Sequence, residues 1–144
     1  YHFHKQGKLN KTLFQISMGL SPLHGQLFKY SLIENPFCPS CLMHVESAKH
    51  FFLDCIKYVT DRAVLLAEIE ACYVNFISTF DYLNLGLPDV LSTESKYFLI
   101  LNGFDVKLFK NCKASFQPEL YHKINRMLHT SVLNYMFKTR RYVD

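Results

Sequence analysis

Pro36-Phe37-Cys38-Pro39-Ser40-Cys41, answered downstream by His50-Phe51-Phe52-Leu53-Asp54-Cys55, is the stretch on which the fold turns. Cys38 and Cys41 place two thiols across a tight Pro-Ser turn, and His50 and Cys55 add two further soft or borderline donors. The spacing is C-x2-C-x8-H-x4-C, a ligand set suited to tetrahedral zinc. Four protein ligands close the tetrahedron and leave no position for water or substrate, so the expected role is to staple the fold rather than to catalyse. His44 is the rival for the histidine ligand. It lies three residues after Cys41, a strained return that leaves the His50 to Cys55 spacing unexplained, and spacing therefore favours His50. The bland alternative for the whole cluster is a set of buried free thiols, since a free cysteine packs as a small hydrophobe.

Five residues along an α-helix turn through about 500°, so His50 and Cys55 do not share one face of a continuous helix. The helical composition running from about Val45 to Asp54 should therefore stop before Cys55, letting that thiol turn back while Phe51, Phe52 and Leu53 wrap the site. Upstream, Ser21-Pro22 reads as an N-cap followed by proline at the first helical position, with Leu23, Leu27 and Phe28 on one face and Asn35-Pro36 as the stop. Downstream, a longer helix from Thr60 or Asp61 carries Leu65, Ile69, Cys72 and Phe76 at helical spacing. Asn84, Gly86 and Pro88 mark a break. Ser92 or Thr93 with Glu94 opens another helix through Tyr97, Phe98 and Leu101, stopped by Asn102-Gly103. The last helix opens at Pro118, aligns Tyr121, Ile124, Leu128, Val132 and Tyr135, and ends among Lys138, Arg140 and Arg141.

No stretch sustains strand alternation, so the expected architecture is mostly α, with a small zinc knuckle (CCHC) embedded in a helical module. The expected division is residues 1–59, an N-terminal helix and the knuckle, and 60–144, a C-terminal helical region.

The 144 residues are 49% hydrophobic and include 13 Phe and 9 Tyr against 5 Gly and 5 Pro, a composition for packed structure rather than a disordered tail. The net charge of +4 is mild, compatible with phosphate contact without demanding it. Lys, Asp or Glu interrupts every hydrophobic stretch before about 18 apolar residues accumulate, and the expectation is that nothing spans a bilayer. An odd count of five cysteines, three of them at ligand spacing, points to a metal in a reducing, intracellular compartment (cytoplasm or nucleus) rather than a secreted disulfide framework. Cys72 falls on the core stripe of its helix, and Cys112 stands between Lys110 and Lys113 with no ligand partner. The opening Tyr1-His2-Phe3-His4-Lys5 suggests a segment of a longer polypeptide.

Enzyme signatures are missing. No paired-aspartate motif suits two-metal nucleotidyl transfer, no glycine-rich loop suits a nucleotide cofactor, and no serine sits in a nucleophile elbow. The basic candidates are Lys123, Arg126, Lys138, Arg140 and Arg141 on and after the last helix, with Lys5, Lys8 and Lys11 near the start. They read either as phosphate contacts or as a solvated face whose last-turn cations complement the helix dipole.

Gly19-Leu20-Ser21-Pro22-Leu23, Leu27-Phe28-Lys29-Tyr30 and Pro36-Phe37-Cys38-Pro39-Ser40-Cys41, then Glu46, His50-Phe51-Phe52-Leu53 and Cys55 with Tyr58 and Arg62, together resemble a known family. It is the zinc-binding segment downstream of the reverse transcriptase in non-LTR (LINE-type) retrotransposon polyproteins. The resemblance covers residues 19 to 69 and implies a non-catalytic accessory segment of an RNA-directed DNA polymerase, which engages template RNA or target DNA beside an upstream reverse transcriptase domain. Two departures stand out. Gln15 and Ser17 replace arginines common in the family, and Leu42 stands where a glycine often follows the second cysteine. A zinc-stabilised scaffold that binds only protein, or a relic fragment without activity, is the alternative.

Overall fold

The computed structural model describes residues 2–20, 22–83, 85–105 and 117–141, with side chains from Gly7 onward. Among them the chain is mostly helical. Five α-helices, α1 (His2–Ser17), α2 (His24–Lys29), α3 (Val59–Phe80), α4 (Thr93–Asn102) and α5 (Pro118–Thr139), are joined by short π and 3-10 turns, and the described residues hold one isolated antiparallel bridge, Phe37 to Val45, and no strand.

The chain forms two compact units, residues 1–64 with 133–144, and residues 65–132. The expected boundary at 59/60 thus moves to 64/65, and the end of the chain returns to the first unit. α3 itself runs unbroken from Val59 to Phe80, across both positions, with no glycine or proline to interrupt it.

In the first unit, α1 was not legible as a helix. It buries Leu9, Thr12, Leu13 and Ile16, an i, i+3, i+4, i+7 stripe, and ends at Gly19, whose φ of +72° lets the Leu20 N–H reach the Gln15 carbonyl and its own N–H reach Ile16. The expected α2 is shorter than its apolar spacing suggests. Ser21 lies outside the described residues, the helix opens after Leu23 and no side chain caps it. It closes at Lys29, before Asn35-Pro36 can act, because Ser31 takes a left-handed φ of +58° and directs the Ser31 and Leu32 N–H groups back to Phe28 and Leu27. Of the expected face only Leu23 is buried, and Phe28 is exposed.

In the second unit, the stripe expected on α3 is buried as Leu65, Ile69, Cys72 and Phe76, extended by Tyr73 and Phe80. Ser92 caps α4 by accepting the Ser95 N–H at 3.1 Å. The buried face of α4 is Leu99 and Ile100, whereas Phe98 faces solvent and Tyr97 and Leu101 are half-buried, so the expected stripe is out of phase with the face that packs. Gly103 ends α4 at φ +72°, where a Cβ would lie 2.9 Å from Asn125 Oδ1, and Phe104 then stacks on Phe76 while its N–H donates to Asn125 at 2.9 Å. Along α5 every residue of the expected stripe, from Tyr121 to Tyr135, is buried.

The expectation about membranes needs a correction. Judged by mean hydropathy rather than by uninterrupted runs, the 28 residues Ile56–Leu83 contain an 18-residue window at 1.4 and are long and apolar enough to cross a membrane. Its middle carries Glu68 and Glu70, however, and a carboxylate at a bilayer centre costs roughly 3 kcal/mol. Glu70 pairs with Lys96 at 2.9 Å, and one stripe of the helix, Leu65, Ile69, Cys72 and Phe76, is buried.

Candidate metal centre

The first two cysteines are set by a small hairpin. The Phe37 to Val45 bridge closes it, the Glu46 N–H reaches the Pro36 carbonyl at 3.0 Å, and the Cys38 N–H reaches the His44 carbonyl at 2.8 Å. His44 thus serves the hairpin through its backbone, and its side chain lies at the surface, outside the donor cluster. Inside the loop the Leu42 N–H returns to the Cys38 carbonyl at 2.8 Å, which requires Leu42 to adopt φ +60° with its side chain 72% exposed.

His50 and Cys55 come from one short π turn, His50–Asp54. Ser47 starts it, its hydroxyl accepting the His50 N–H at 3.0 Å and its carbonyl the Phe51 N–H at 3.0 Å. At the far end the Cys55 N–H bonds the His50 carbonyl at 2.8 Å, an i to i+5 link that widens the turn and brings the fifth residue back beside the first. The helix stops at Asp54 as expected, and Cys55 is extended, φ −65° and ψ 124°.

The outcome is a tight, buried cluster. One donor atom from each of Cys38, Cys41, His50 and Cys55 lies within 4.8 Å of the others, and all four residues are buried. Cys38 Sγ and Cys55 Sγ are 3.9 Å apart, and Cys41 Sγ is 3.4 Å from His50 Nε2. These four can hold a metal ion with no protein ligand left to add. Burial pushes the Cys41 thiol up, but the Met43 and His44 N–H groups, with the His50 and Cys38 side chains, outweigh it and bring it from 9.0 down to about 6. Burial dominates at Cys55, where the neighbouring Cys38 and Cys41 add to it, and that thiol is pushed up to about 12.

Around the cluster, neighbouring side chains act as braces. The Tyr58 hydroxyl meets the Ser40 hydroxyl between the two cysteines, and Arg62 Nη1 donates to the Cys55 carbonyl at 2.7 Å. The Tyr135 hydroxyl donates to the Phe51 carbonyl, and Phe51, Phe52, Tyr58 and Tyr135 form an aromatic cluster with ring centroids 4.8 to 6.4 Å apart. Glu46, wholly buried, accepts the His24 N–H at 2.8 Å and a bidentate Arg141 at 2.7 and 2.8 Å.

The chain matches no protein-family model, no curated protein and no solved structure.

The basic candidates divide between the two units. Lys123 and Arg126 are exposed in the second unit, Lys138 and Arg140 are exposed in the first, and Arg141 is mostly buried against Glu46. Lys8 and Lys11 are exposed on α1; Cys112, Lys110, Lys113 and Tyr142 lie outside the described residues. Cys72, buried in the second unit, takes no part in the cluster, and burial raises its pKa. The role of Arg141 had no periodic signal, because its partner is 95 residues away.

Leu42 yields a direct test. A left-handed φ costs a non-glycine residue about 1–2 kcal/mol, while glycine loses about 0.5–1 kcal/mol more backbone entropy on folding. With so little of the Leu42 side chain buried, Leu42→Gly is expected to stabilise the first unit by about 0.5–1 kcal/mol. Denaturant melts of the two proteins compare this directly, and a lower midpoint for the variant would show that the Leu42 side chain contributes contacts worth more than its strain.

Proposed function

We propose that Cys38, Cys41, His50 and Cys55 bind one zinc ion as a knuckle, and that the chain is a nucleic-acid-binding accessory segment of a retrotransposon-type reverse transcriptase, not catalytic by itself. The observation that carries the metal assignment is the donor geometry. A zinc tetrahedron with Zn–S of about 2.3 Å and Zn–N of about 2.05 Å has S to S edges of about 3.8 Å and S to N edges of about 3.6 Å. The Cys38–Cys55 and Cys41–His50 separations of 3.9 and 3.4 Å lie close to both. Three thiolates and an imidazole are also the soft and borderline set that zinc prefers over magnesium or calcium, and reduced thiols suit an intracellular site, cytoplasmic or nuclear. When bound, zinc supplies a cross-link and no open coordination position. Native mass spectrometry with and without a chelator tests it, one zinc per chain being the expected stoichiometry.

Metal binding should also release protons. A thiol held at about 6 is ionised at pH 7, whereas one pushed up to about 12 is not, so zinc must displace at least the Cys55 proton. Each proton released makes the apparent affinity rise about tenfold per pH unit. In the metal-free protein the signs are opposite for the two thiols. The depressed Cys41 stabilises the fold above its unfolded value of 9.0, an effect lost as pH falls through about 6. The raised Cys55 destabilises it as pH climbs from 9.0 towards 12. Calorimetric titration with zinc in two buffers of different ionisation enthalpy counts the protons, and a count of zero contradicts this account.

The nucleic-acid part rests on the ordered motifs between Gly19 and Arg62 and on the exposed Lys123, Arg126, Lys138 and Arg140. Four phosphate contacts would give a log–log salt slope of about −3 on single strands. Affinity for single-stranded or duplex nucleic acid that falls along such a slope is the expected result, and no binding at low salt overturns it. A protein-binding scaffold, engaging the upstream polymerase domain or a second copy, is favoured by one set of observations. Arg141 is committed to Glu46, and Phe37, Leu42 and Met43 are apolar and exposed on the cysteine hairpin.

A further inference from the structure

The Glu46 carboxylate occupies an unusual position. It has no exposed surface, and it lies five residues after Cys41 and four before His50, between the two halves of the donor set. Its backbone is already used twice, with the N–H on the Pro36 carbonyl and the carbonyl on the Gly25 N–H, each at 3.0 Å. Gly25 is obligatory there, because a Cβ would fall 2.7 Å from the Glu46 carbonyl oxygen, a backbone atom that cannot step aside. The side chain then takes three charge-assisted hydrogen bonds, one from the His24 N–H and two from Arg141.

Arg141 arrives from the other end of the sequence. It stands just past α5, after Arg140 turns the chain with φ +56°, and its side chain retains 17% exposure while its partner retains none. One residue span, Pro36 to His50, contains the hairpin, Glu46 and a candidate metal ligand at or near each end, so a shift of Glu46 moves Cys38 and Cys41 relative to His50.

We propose that Arg141 is a positioning residue of the metal centre: by clamping Glu46 it couples docking of the turn after α5 to metal binding, so that loading the metal and seating Arg141 are one event. The proposal rests on the metal assignment above. The physics is that a buried carboxylate without its cation is strongly unfavourable, so an undocked Arg141 drives Glu46 towards solvent and pulls the hairpin with it. Coupling of this kind is reciprocal. Metal should protect the turn, and loss of the turn should weaken the metal. It also removes Arg141 from the set of cations free to meet a phosphate.

The test uses the full chain and zinc alone. Zinc affinity is measured by competition with a chromogenic chelator for the wild type, Arg141→Gln, Glu46→Gln, the double variant and Leu13→Ala, a core truncation on α1 remote in sequence from the clamp. Groups supporting a metal site from outside its ligand shell typically change affinity about 10 to 100-fold. Arg141→Gln should weaken zinc at least about tenfold, the double variant should recover to within about threefold of the wild type, and Leu13→Ala combined with Arg141→Gln should be additive. Hydrogen exchange on the wild type, which needs no variant to fold, should show the amides of residues 139–141 slowed by zinc. The proposal is overturned if wild-type zinc affinity survives Arg141→Gln, if Leu13→Ala weakens zinc as much and the double variant shows no recovery, or if zinc leaves exchange at 139–141 unchanged. A wild-type protein that binds no zinc defeats the metal assignment itself, a separate result from one that binds zinc with no dependence on Arg141.

Discussion

Cys55→Ser is expected to release the metal and melt the first unit, whereas Cys72→Ser leaves one metal per chain in place. Cys55 has no exposed surface, its sulfur lies 3.9 Å from that of Cys38, and its backbone closes the π turn that also presents His50. A structural zinc contributes about 10–16 kcal/mol, and an even share among four ligands is roughly 2.5–4 kcal/mol. Removing one thiolate should therefore weaken zinc by about 10² to 10³-fold. The hydroxyl introduced by Cys55→Ser would be buried beside two thiols with no metal to satisfy it. Cys72 is just as buried but lies on α3 in the second unit, away from the donor cluster. Exchanging its sulfur for a hydroxyl costs about 1–3 kcal/mol of stability from desolvation, and no metal. Metal stoichiometry and chelator competition on the two variants separate these outcomes, and equal zinc loss in both would remove the assignment of Cys55 as a ligand.

The second large effect concerns the aromatic cluster that holds the π turn. Phe51 is wholly buried and its ring contacts Phe52, Tyr58 and Tyr135 at centroid distances of 4.8, 5.6 and 5.4 Å. Truncating such a ring costs about 3–5 kcal/mol in transfer and cavity terms, so Phe51→Ala should leave the first unit close to unfolded without metal and marginal with it. Tyr135→Phe is the milder companion. It keeps the ring and deletes only the hydroxyl bond to the Phe51 carbonyl, for about 1–2 kcal/mol. In a domain of this size each 1 kcal/mol moves Tm by about 4–8 °C, so the two variants should be well separated in a thermal melt. Excess zinc should recover part of the loss, because a ligand that binds only the folded unit stabilises it by mass action. Equal melts for the two variants would mean that the ring itself contributes little and that the hydroxyl bond is what holds the turn.

The donor cluster was legible because its signal is local. Cys38, Cys41, His50 and Cys55 lie within 18 positions, and a turn plus a short helix is all the geometry needed to bring them together. The core faces of α3 and α5 were legible for a related reason, since a 3.6-residue period survives in the one-dimensional string. The two misjudged helices failed on local competition. At α2, spacing suggested a helix to Asn35, but the left-handed Ser31 closed it early. At α4, the apolar run Tyr97-Phe98-Leu99-Ile100-Leu101 leaves its phase undetermined, and packing chose Leu99 and Ile100. The stripe Leu9, Leu13, Ile16 could have revealed α1, but the polar residues around it diluted the pattern.

By itself, then, the sequence determined a mostly helical chain, the four residues of the candidate metal centre and the place where the helix before Cys55 must stop, all consequences of spacing along a backbone of known geometry. Only the tertiary structure decided that Glu46 is sealed by Arg141, that Tyr135 holds the Phe51 carbonyl, and that residues 133–141 belong to the same unit as the candidate metal centre. Those contacts join positions 84 and 95 residues apart. Neither separation has a period, and a charge or a hydroxyl does not reveal its distant partner until packing has excluded water from both.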